Sequence, residues 1–500
     1  MNDNVRIDAT QLNVSVIGEG GNLGLTQMAR TEFALKGGRL NTDAIDNSAG
    51  VDTSDHEVNI KILLELMQQK GIIESFEHRN QLLETLQDEV AEACLDDNRA
   101  QGKILSMDVI RSKKDISPLL ECVDYLSKTK ILDRRTEMLS TNQQLNECFS
   151  SGIGIPRSDL AVILSYTKMF FYKQVITSKS LNDKHLNKLY EEYFPVKLSS
   201  KYSLQEFKHP LKKEIIGTML VNRIINQAGV TLLPFILSIF NKNVVDIVTA
   251  YTVIDETFSL KKIRNMVEKE FKEKDINSVY SFLMKIESFI QEQMIWLLLY
   301  YEDKDLSFSM TSELKNSLGV FHNIVINQIS GHEKKLFQST FENIQALGAS
   351  KALAKELTNL DFSKNSVQAI TLSTRLNIEL QEIIHLEREI DKVLHFSDLQ
   401  IKLLSIDLST SWQKKHRGSL LKRSTHLKDE FLSAVIKLNG SMEFSSCNLH
   451  ELLHPYLSSI KDYQKEFDNF STQESQELSA IAVLLEQIGE LIRIISSSDN

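Results

Sequence analysis

The sequence predicts a mainly α-helical chain that opens with a short, incomplete α/β piece. Three observations carry this expectation. Seven of the 19 glycines fall in the first fifty residues, just after the apolar run Val14-Ser15-Val16-Ile17. The next 450 residues read as amphipathic helix. Only six prolines occur, with none between Pro234 and Pro455, so long helices go uninterrupted there.

Taken in order, the N-terminal stretch reads as a strand at 12–17, a glycine turn, a helix at 26–36, a short second strand at 39–42 and a loop to Thr53. A helix is expected to start at Ser54. With Glu57 it forms a capping-box pattern, in which the serine oxygen takes an orphan backbone N–H and the glutamate reaches back. Val58, Ile62, Leu66 and Met67 supply its apolar face, and Gly71 can end it in the left-handed conformation. Leu82, Leu83, Leu86, Val90 and Cys94 make the next stripe, which is expected to end at a turn over Asp96-Asp97-Asn98. Pro156 and Ser158 open another helix, and helical spacing continues through 210–226 and 246–258 to a last strong helix at 475–496. No repeat of fixed period and no low-complexity linker interrupts the pattern. Local polarity alone marks domain boundaries near 100–110 and 265–275, giving segments 1–105, 106–270 and 271–500.

Two short strands cannot stand as a parallel sheet, because the pair leaves unpaired edges. No other segment alternates with period two, so 12–17 and 39–42 are expected to finish a sheet whose other strands lie outside this polypeptide.

Composition narrows the function classes. Hydrophobic residues make up 42% and charged residues 25%, as in a soluble globular protein. The net charge is −10, and the first sixty residues hold four basic against nine acidic side chains. Such a chain is poorly suited to neutralising a phosphate backbone, so no nucleic-acid partner is expected. The longest apolar runs, such as Ile295 to Tyr301, are too short to span a bilayer, so no membrane partner is expected either. Residues 1–20 show no secretory pattern, and Cys94, Cys122, Cys148 and Cys447 are scattered without CxxC spacing. They read as reduced core residues of a cytoplasmic protein.

Residues 18–54 hold the unusual chemistry. A strand entering a glycine turn is where α/β proteins place nucleotides. Here the glycines are Gly18, Gly20, Gly21 and Gly24, with Leu23 where GxGxxG needs glycine. On its own this is a ligand turn or a tight strand-to-helix turn. His56-Glu57 begins an HExxH pattern that fails at Ile60, so no metal site is expected. Ser54-Asp55-His56 contains triad residue types, but contiguous residues cannot converge on one atom. Lys414, Lys415, His416, Arg417, Lys422, Arg423 and Lys428, near Trp412, are expected to form a solvated helix face.

As a series, the motifs resemble one family. GEGGNLGLTQ, GGRLNTDAIDNSAGVD and SDHEVNIKILL follow one another as in the large, bacterial-type NAD-specific glutamate dehydrogenases. The similarity extends through RSDLAVILSYTK (157–168), YFP (193–195), HPLKKEIIGTMLVNRIINQAG (209–229) and DIVTAYTVIDETF (246–258), fading after about 430. Glu19-Gly20-Gly21-Asn22 and Asn47-Ser48-Ala49-Gly50-Val51-Asp52-Thr53-Ser54 also look like diverged forms of two motifs of the smaller glutamate dehydrogenases.

The resemblance implies a Rossmann-type N-terminal piece with NAD as cofactor. Gly20 and Gly21 would lie at the cofactor turn, Asn22 at the nicotinamide-ribose side and Asn47 on the carboxamide. Val51 would pack beside the substrate, and Ser54 would bind its distal carboxylate. Ser48 and Asp52 depart from the smaller enzymes' pattern. The implied substrates are L-glutamate and 2-oxoglutarate, and the complete enzyme would be a homo-oligomer. In the family, the catalytic lysine and aspartate precede the segment matching Gly18. No catalytic residue is therefore assigned here, and the chain is expected to be a C-terminal portion that is inactive without the N-terminal part. A split gene, an internal start or an incomplete gene model would each explain this. The alternative is a non-enzymatic helical assembly module or the remnant of a disrupted gene.

Overall fold

The computed structural model describes residues 6–21, 24–272, 275–301, 305–328, 331–406, 408, 410–439, 449–471 and 477–497. It is 78% helical, and no strand occurs among the described residues, so the chain is mainly α as expected. The two expected strands reduce to one parallel bridge between Val16 and Arg39. Ile17 N donates to Arg39 O at 3.0 Å and Arg39 N to Ser15 O at 2.9 Å. Without further strands beside them, the two segments pair over this single step, and Val14 and Val16 stay exposed.

The chain divides into two compact units. The first comprises the described residues up to Phe235 with Asn243–Thr252 and Ser307–Ser309. Its helices are α1 (Gln27–Leu35), α2 (Asp43–Asp46), α3 (Ser48–Gln69), α4 (Phe76–Lys114), α5 (Ser117–Lys128), α6 (Asn142–Ser150), α7 (Arg157–Val175), α8 (Asn187–Tyr193), α9 (Val196–Ser199) and α10 (Lys212–Ala228). Packing joins α3 to α4, α4 to both α7 and α10, and α1 to α7. Ile60, Leu63, Leu64 and Met67 of α3 bury the stripe that drives this packing, with Leu105, Leu164 and Ile224 from the facing helices. A smaller core of Ala9, Phe33 and Leu40 holds the N-terminal segment.

Three local expectations meet different outcomes. At the end of α3, Gly71 has φ +73°; its N–H bonds to Gln68 O at 2.9 Å, and Ile72 N reaches Met67 O at 3.0 Å. This is the left-handed cap expected from the sequence. The start of α3 differs. It begins at Ser48 with Asn47 as the capping residue, so Ser54 lies inside the helix. Ser54 Oγ donates to Val51 O at 2.7 Å, and Glu57 pairs with Lys61 instead of reaching back. The turn over Asp96-Asp97-Asn98 is also absent, and α4 runs through it. Their side chains take other partners: Gln101 Nε2 and Asn226 Nδ2 donate to the Asp97 carboxylate at 2.7 and 2.8 Å, and Asn98 Nδ2 donates to Ile45 O at 2.7 Å. The turn-forming side chains are thereby drawn away from their own backbone.

The second unit comprises Ile236–Lys242, Val253–Leu306 and the described residues from Met310 on. In it Arg264 is buried between Asp255 (2.5 Å) and Glu287 (2.6 Å). The expected solvated basic face, on the helix Ser411–Asn439, is only partly so. Lys415 and His416 are exposed, but Lys428 is buried against Glu387 at 2.6 Å, and Lys414 also turns inward. Cys94 and Cys122 are buried and Cys148 half-buried, all as free thiols, whereas Cys447 lies outside the described residues. Among the described residues, no single helix is long and apolar enough to cross a membrane.

Candidate functional site

The N-terminal motif residues bind one another. Glu19 is buried, and its carboxylate accepts from Arg30 Nε and Nη2, both at 2.6 Å. Arg30 Nη2 also donates to Asp43 Oδ1 at 3.2 Å. The Glu19 backbone N–H bonds to Asp46 Oδ2 at 2.9 Å, while Asn41 Nδ2 takes Asp46 Oδ1 at 2.6 Å. These links tie the glycine turn to the Asp46-Asn47 corner. A two-pronged arginine–carboxylate pair fixes direction as well as distance, so the turn is held firmly.

Gly20 and Gly21 are exposed, do not have positive φ, and a Cβ at either would meet nothing within 4 Å. Neither backbone conformation nor internal packing therefore requires glycine at these positions. Asn22 lies outside the described residues. Asn47 is half-buried and makes no side-chain capping bond, and its Oδ1 lies 2.6 Å from where a Cβ on Gly50 would sit. Gly50 thus leaves room for the Asn47 carboxamide. Along α3, positions 47, 51, 54 and 58 share one face by helical spacing. Val51, Ser54 and Val58 are all exposed there. The structure thus brings Asn47, Val51 and Ser54 onto a common outward face.

The inward face of α3 carries a set of polar residues that sequence reasoning missed. His56 is 6% exposed and stacks on Tyr193, with ring centroids 4.1 Å apart at 9°. Asn59 Nδ2 donates to Tyr193 Oη at 2.9 Å, and Asn59 O contacts His209 Nε2 at 3.1 Å. Leu211 N donates to His209 Nδ1 at 3.1 Å, so His209 is the neutral tautomer protonated on Nε2. Asp52 Oδ1 lies 3.8 Å from His56 Nε2, and the buried Cys94 of α4 completes a group whose ligand-type atoms all lie within 4.8 Å of one another.

Burial dominates the acid–base behaviour of this group. It lowers the pKa of His56, against the pull of Asp52, and raises those of the Asp52 carboxyl and the Cys94 thiol. Lys168 of α7 is pushed down to about 8 by burial, against attraction from Asp97 and Asp52. The i,i+4 spacing of Asp52 and His56 was the only local signal. Cys94, Lys168, Tyr193 and His209 come from distant segments that local reasoning could not join.

The 157–168 block locks onto the same region. Arg157 at the start of α7 donates to Asn41 Oδ1 (2.6 Å), Ser106 Oγ (2.8 Å) and Gly102 O (2.7 Å). Asp159, buried, accepts from Gln27 Nε2 (3.0 Å), Thr31 Oγ1 (2.9 Å) and Ser140 N (3.3 Å). Helical and glycine-turn motifs far apart in sequence therefore share one hydrogen-bonded network within the first unit.

Fold and site together define a helical protein into which a glycine-turn segment is built, with Asn47, Val51 and Ser54 along one outward side of α3. The family model "Glutamate dehydrogenase, C-terminal" matches residues 152–490, and "Bacterial NAD-glutamate dehydrogenase, catalytic domain" matches residues 1–108. The chain belongs to the large, bacterial-type glutamate dehydrogenase family. An NAD-specific glutamate dehydrogenase of Halomonas elongata is 27% identical over 465 residues, covering 91% of this chain and 28% of that protein. Proteins of the same name from Pseudomonas aeruginosa and Mycobacterium tuberculosis are 37% and 36% identical, each over 52% of this chain and 16% of their own length. The chain thus spans less than a third of each of these relatives.

Proposed function

We propose that this chain supplies one side of the nicotinamide–glutamate cleft of an NAD-specific glutamate dehydrogenase, together with its helical C-terminal region. The reaction is oxidative deamination of L-glutamate, with water, to 2-oxoglutarate and ammonia. NAD, when bound, accepts the hydride. Residues 1–105 are the end of the Rossmann-type catalytic domain, and 106–270 and 271–500 are two parts of the helical region. The complete enzyme is a cytoplasmic homo-oligomer.

The observation that carries this reading is the outward face of α3, where Asn47, Val51 and Ser54 align beside a glycine turn tied to Asp46. Gly20 and Gly21 fit a cofactor turn because, without side chains and with open space around them, they leave the backbone accessible to a closely approaching group. Asn47 can donate to and accept from a carboxamide at once. Val51 offers an apolar contact. Ser54 is too far along α3 for the positive helix end to assist it, so its hydroxyl alone binds the distal carboxylate. The helix end instead lies at Asn47 to Gly50, on the cofactor side.

No lysine or aspartate of this chain is assigned to proton transfer. Turnover therefore depends on groups from outside these 500 residues, and the chain alone is inactive. Assay of the purified chain should give no glutamate-dependent NADH. Complementation with the preceding part of a relative, such as the Halomonas elongata enzyme, should restore it. Turnover by the chain alone, or restored turnover indifferent to both Asn47→Ala and Ser54→Ala, would overturn the proposal.

A further inference from the structure

We propose that Asp52, His56 and Cys94 form a binding site for a zinc-class divalent cation, placed between the first turns of α3 and the middle of α4. The three side chains offer a carboxylate oxygen, an imidazole nitrogen and a thiolate sulfur, all within 4.8 Å of one another. Around a tetrahedral zinc ion such atoms sit about 3.5 Å apart. His56 Nε2 and Asp52 Oδ1, at 3.8 Å, are already close to that spacing. Only side-chain adjustments of about an ångström are needed to close the shell.

A second observation points independently to a ligand. The His56 ring is more than nine-tenths buried, and its Nε2, the nitrogen that faces Asp52, lies 3.8 Å from that carboxylate, too far for a direct bond. Buried imidazole nitrogens are normally paired, and an orphan costs about 1–3 kcal/mol. The ring is already set in place by its stack on Tyr193, so orienting this ligand costs little further entropy.

Electrostatics favour a dication over a lone proton or a monovalent ion. Asp52 as carboxylate and Cys94 as thiolate carry two negative charges, and His56 binds as neutral imidazole. The complex is then neutral, which suits a buried position. From α4 and α7, Asp97 and Lys168 face the group with opposite charges. The thiol proton of Cys94 leaves to solvent as the sulfur–metal bond forms. Thiolate and imidazole together select zinc-like ions over magnesium or calcium. Three protein ligands leave the fourth position for water. The ion would pin α3 to α4 directly behind the outward face, and the site stands whether or not the dehydrogenase reading holds.

The test is titration of the purified 500-residue chain with Co²⁺, followed by displacement with Zn²⁺. One equivalent should give a sulfur-to-cobalt charge-transfer band that zinc removes. Cys94→Ser should abolish the band, and His56→Gln should weaken zinc binding at least about tenfold. Cys148→Ser should leave both unchanged. No sulfur band, or one that survives Cys94→Ser, overturns the proposal. X-ray absorption at the zinc edge of the wild-type chain checks it without any variant. A shell of one sulfur with nitrogen and oxygen supports the site, and a shell with no sulfur or with several overturns it.

Discussion

The carboxylate of Asp108 fills the space that a side chain at residue 229 would need. A Cβ on Gly229 would lie 2.5 Å from Asp108 Oδ1 and 2.7 Å from Arg111 Nη1. Gly229 also has φ +76° and ψ −169°, a region closed to other residues in practice. Asp108 meanwhile accepts from Arg111 Nη1 at 2.7 Å and Val230 N at 3.2 Å, and Arg111 Nη1 reaches Ala228 O at 2.9 Å. The end of α10 is thus clamped to the last turns of α4. Gly229→Ala should cost about 2–4 kcal/mol, combining backbone strain with the clash. Urea unfolding of the first unit reads this as a lower midpoint, and an unchanged midpoint would refute the clamp.

Loss of a buried acceptor should be felt at a distance in sequence. Asp159→Ala leaves donors on Gln27, Thr31 and Ser140 without their shared partner. A cost of about 2–4 kcal/mol is expected. Hydrogen exchange should speed up along α1 as well as at the start of α7. If α1 keeps its protection, the network does not hold it.

Acidification should weaken the first unit through His209. Burial lowers its pKa below the ordinary 6.5, and the Leu211 N–H needs Nδ1 unprotonated. A lowered folded pKa means that the stabilisation is present above pH 6.5 and is lost as pH falls from there towards the folded value. Thermal midpoints measured from pH 7.5 down to 5 should decline in the wild type. His209→Gln, which cannot titrate, should flatten that decline. Equal slopes would assign the acid sensitivity to other groups, including His56, whose pKa also falls on burial.

Function and stability should separate at Ser54. Its hydroxyl is exposed and bonds only to the carbonyl of Val51 among the described contacts. Ser54→Ala should change stability by less than about 0.5 kcal/mol. In the complemented enzyme the same change should raise KM for glutamate about tenfold, the size of one hydrogen bond to a charged group. An unaltered KM would remove Ser54 from the site.

In the second unit, Arg264→Met should remove the cation that holds the buried carboxylates of Asp255 and Glu287 together. Removing one partner from such a group costs about 3–5 kcal/mol. Replacing all three with apolar residues should recover most of that loss. Chemical denaturation of the single and triple variants checks both halves.

Local signals were legible where they were self-contained. Gly71 ends α3 because nothing beyond its own turn is required. The serine pattern at Ser54 misled because Thr53 and Ser54 spend their hydroxyls on the carbonyls of Ala49 and Val51, inside a helix that starts at Ser48. Asp96 to Asn98 looked like a turn until Gln101, Asn226 and the Ile45 carbonyl supplied partners, two of them on other helices. The outward residues of the candidate site came from motif resemblance. The inward set of Asp52, Cys94, Lys168 and Tyr193 exists only once four segments have packed together.

Because α3 is one stiff rod with different tasks on its two sides, the helical region acts as the gauge block for whatever meets its outer side. A slip of about 1 Å where His56 rests on Tyr193 is transmitted undamped to Val51 and Ser54, and errors of that size can cost a hundredfold in rate. Changes at Tyr193, Asn59 or His209 should therefore appear as faults of alignment in a place none of them touches.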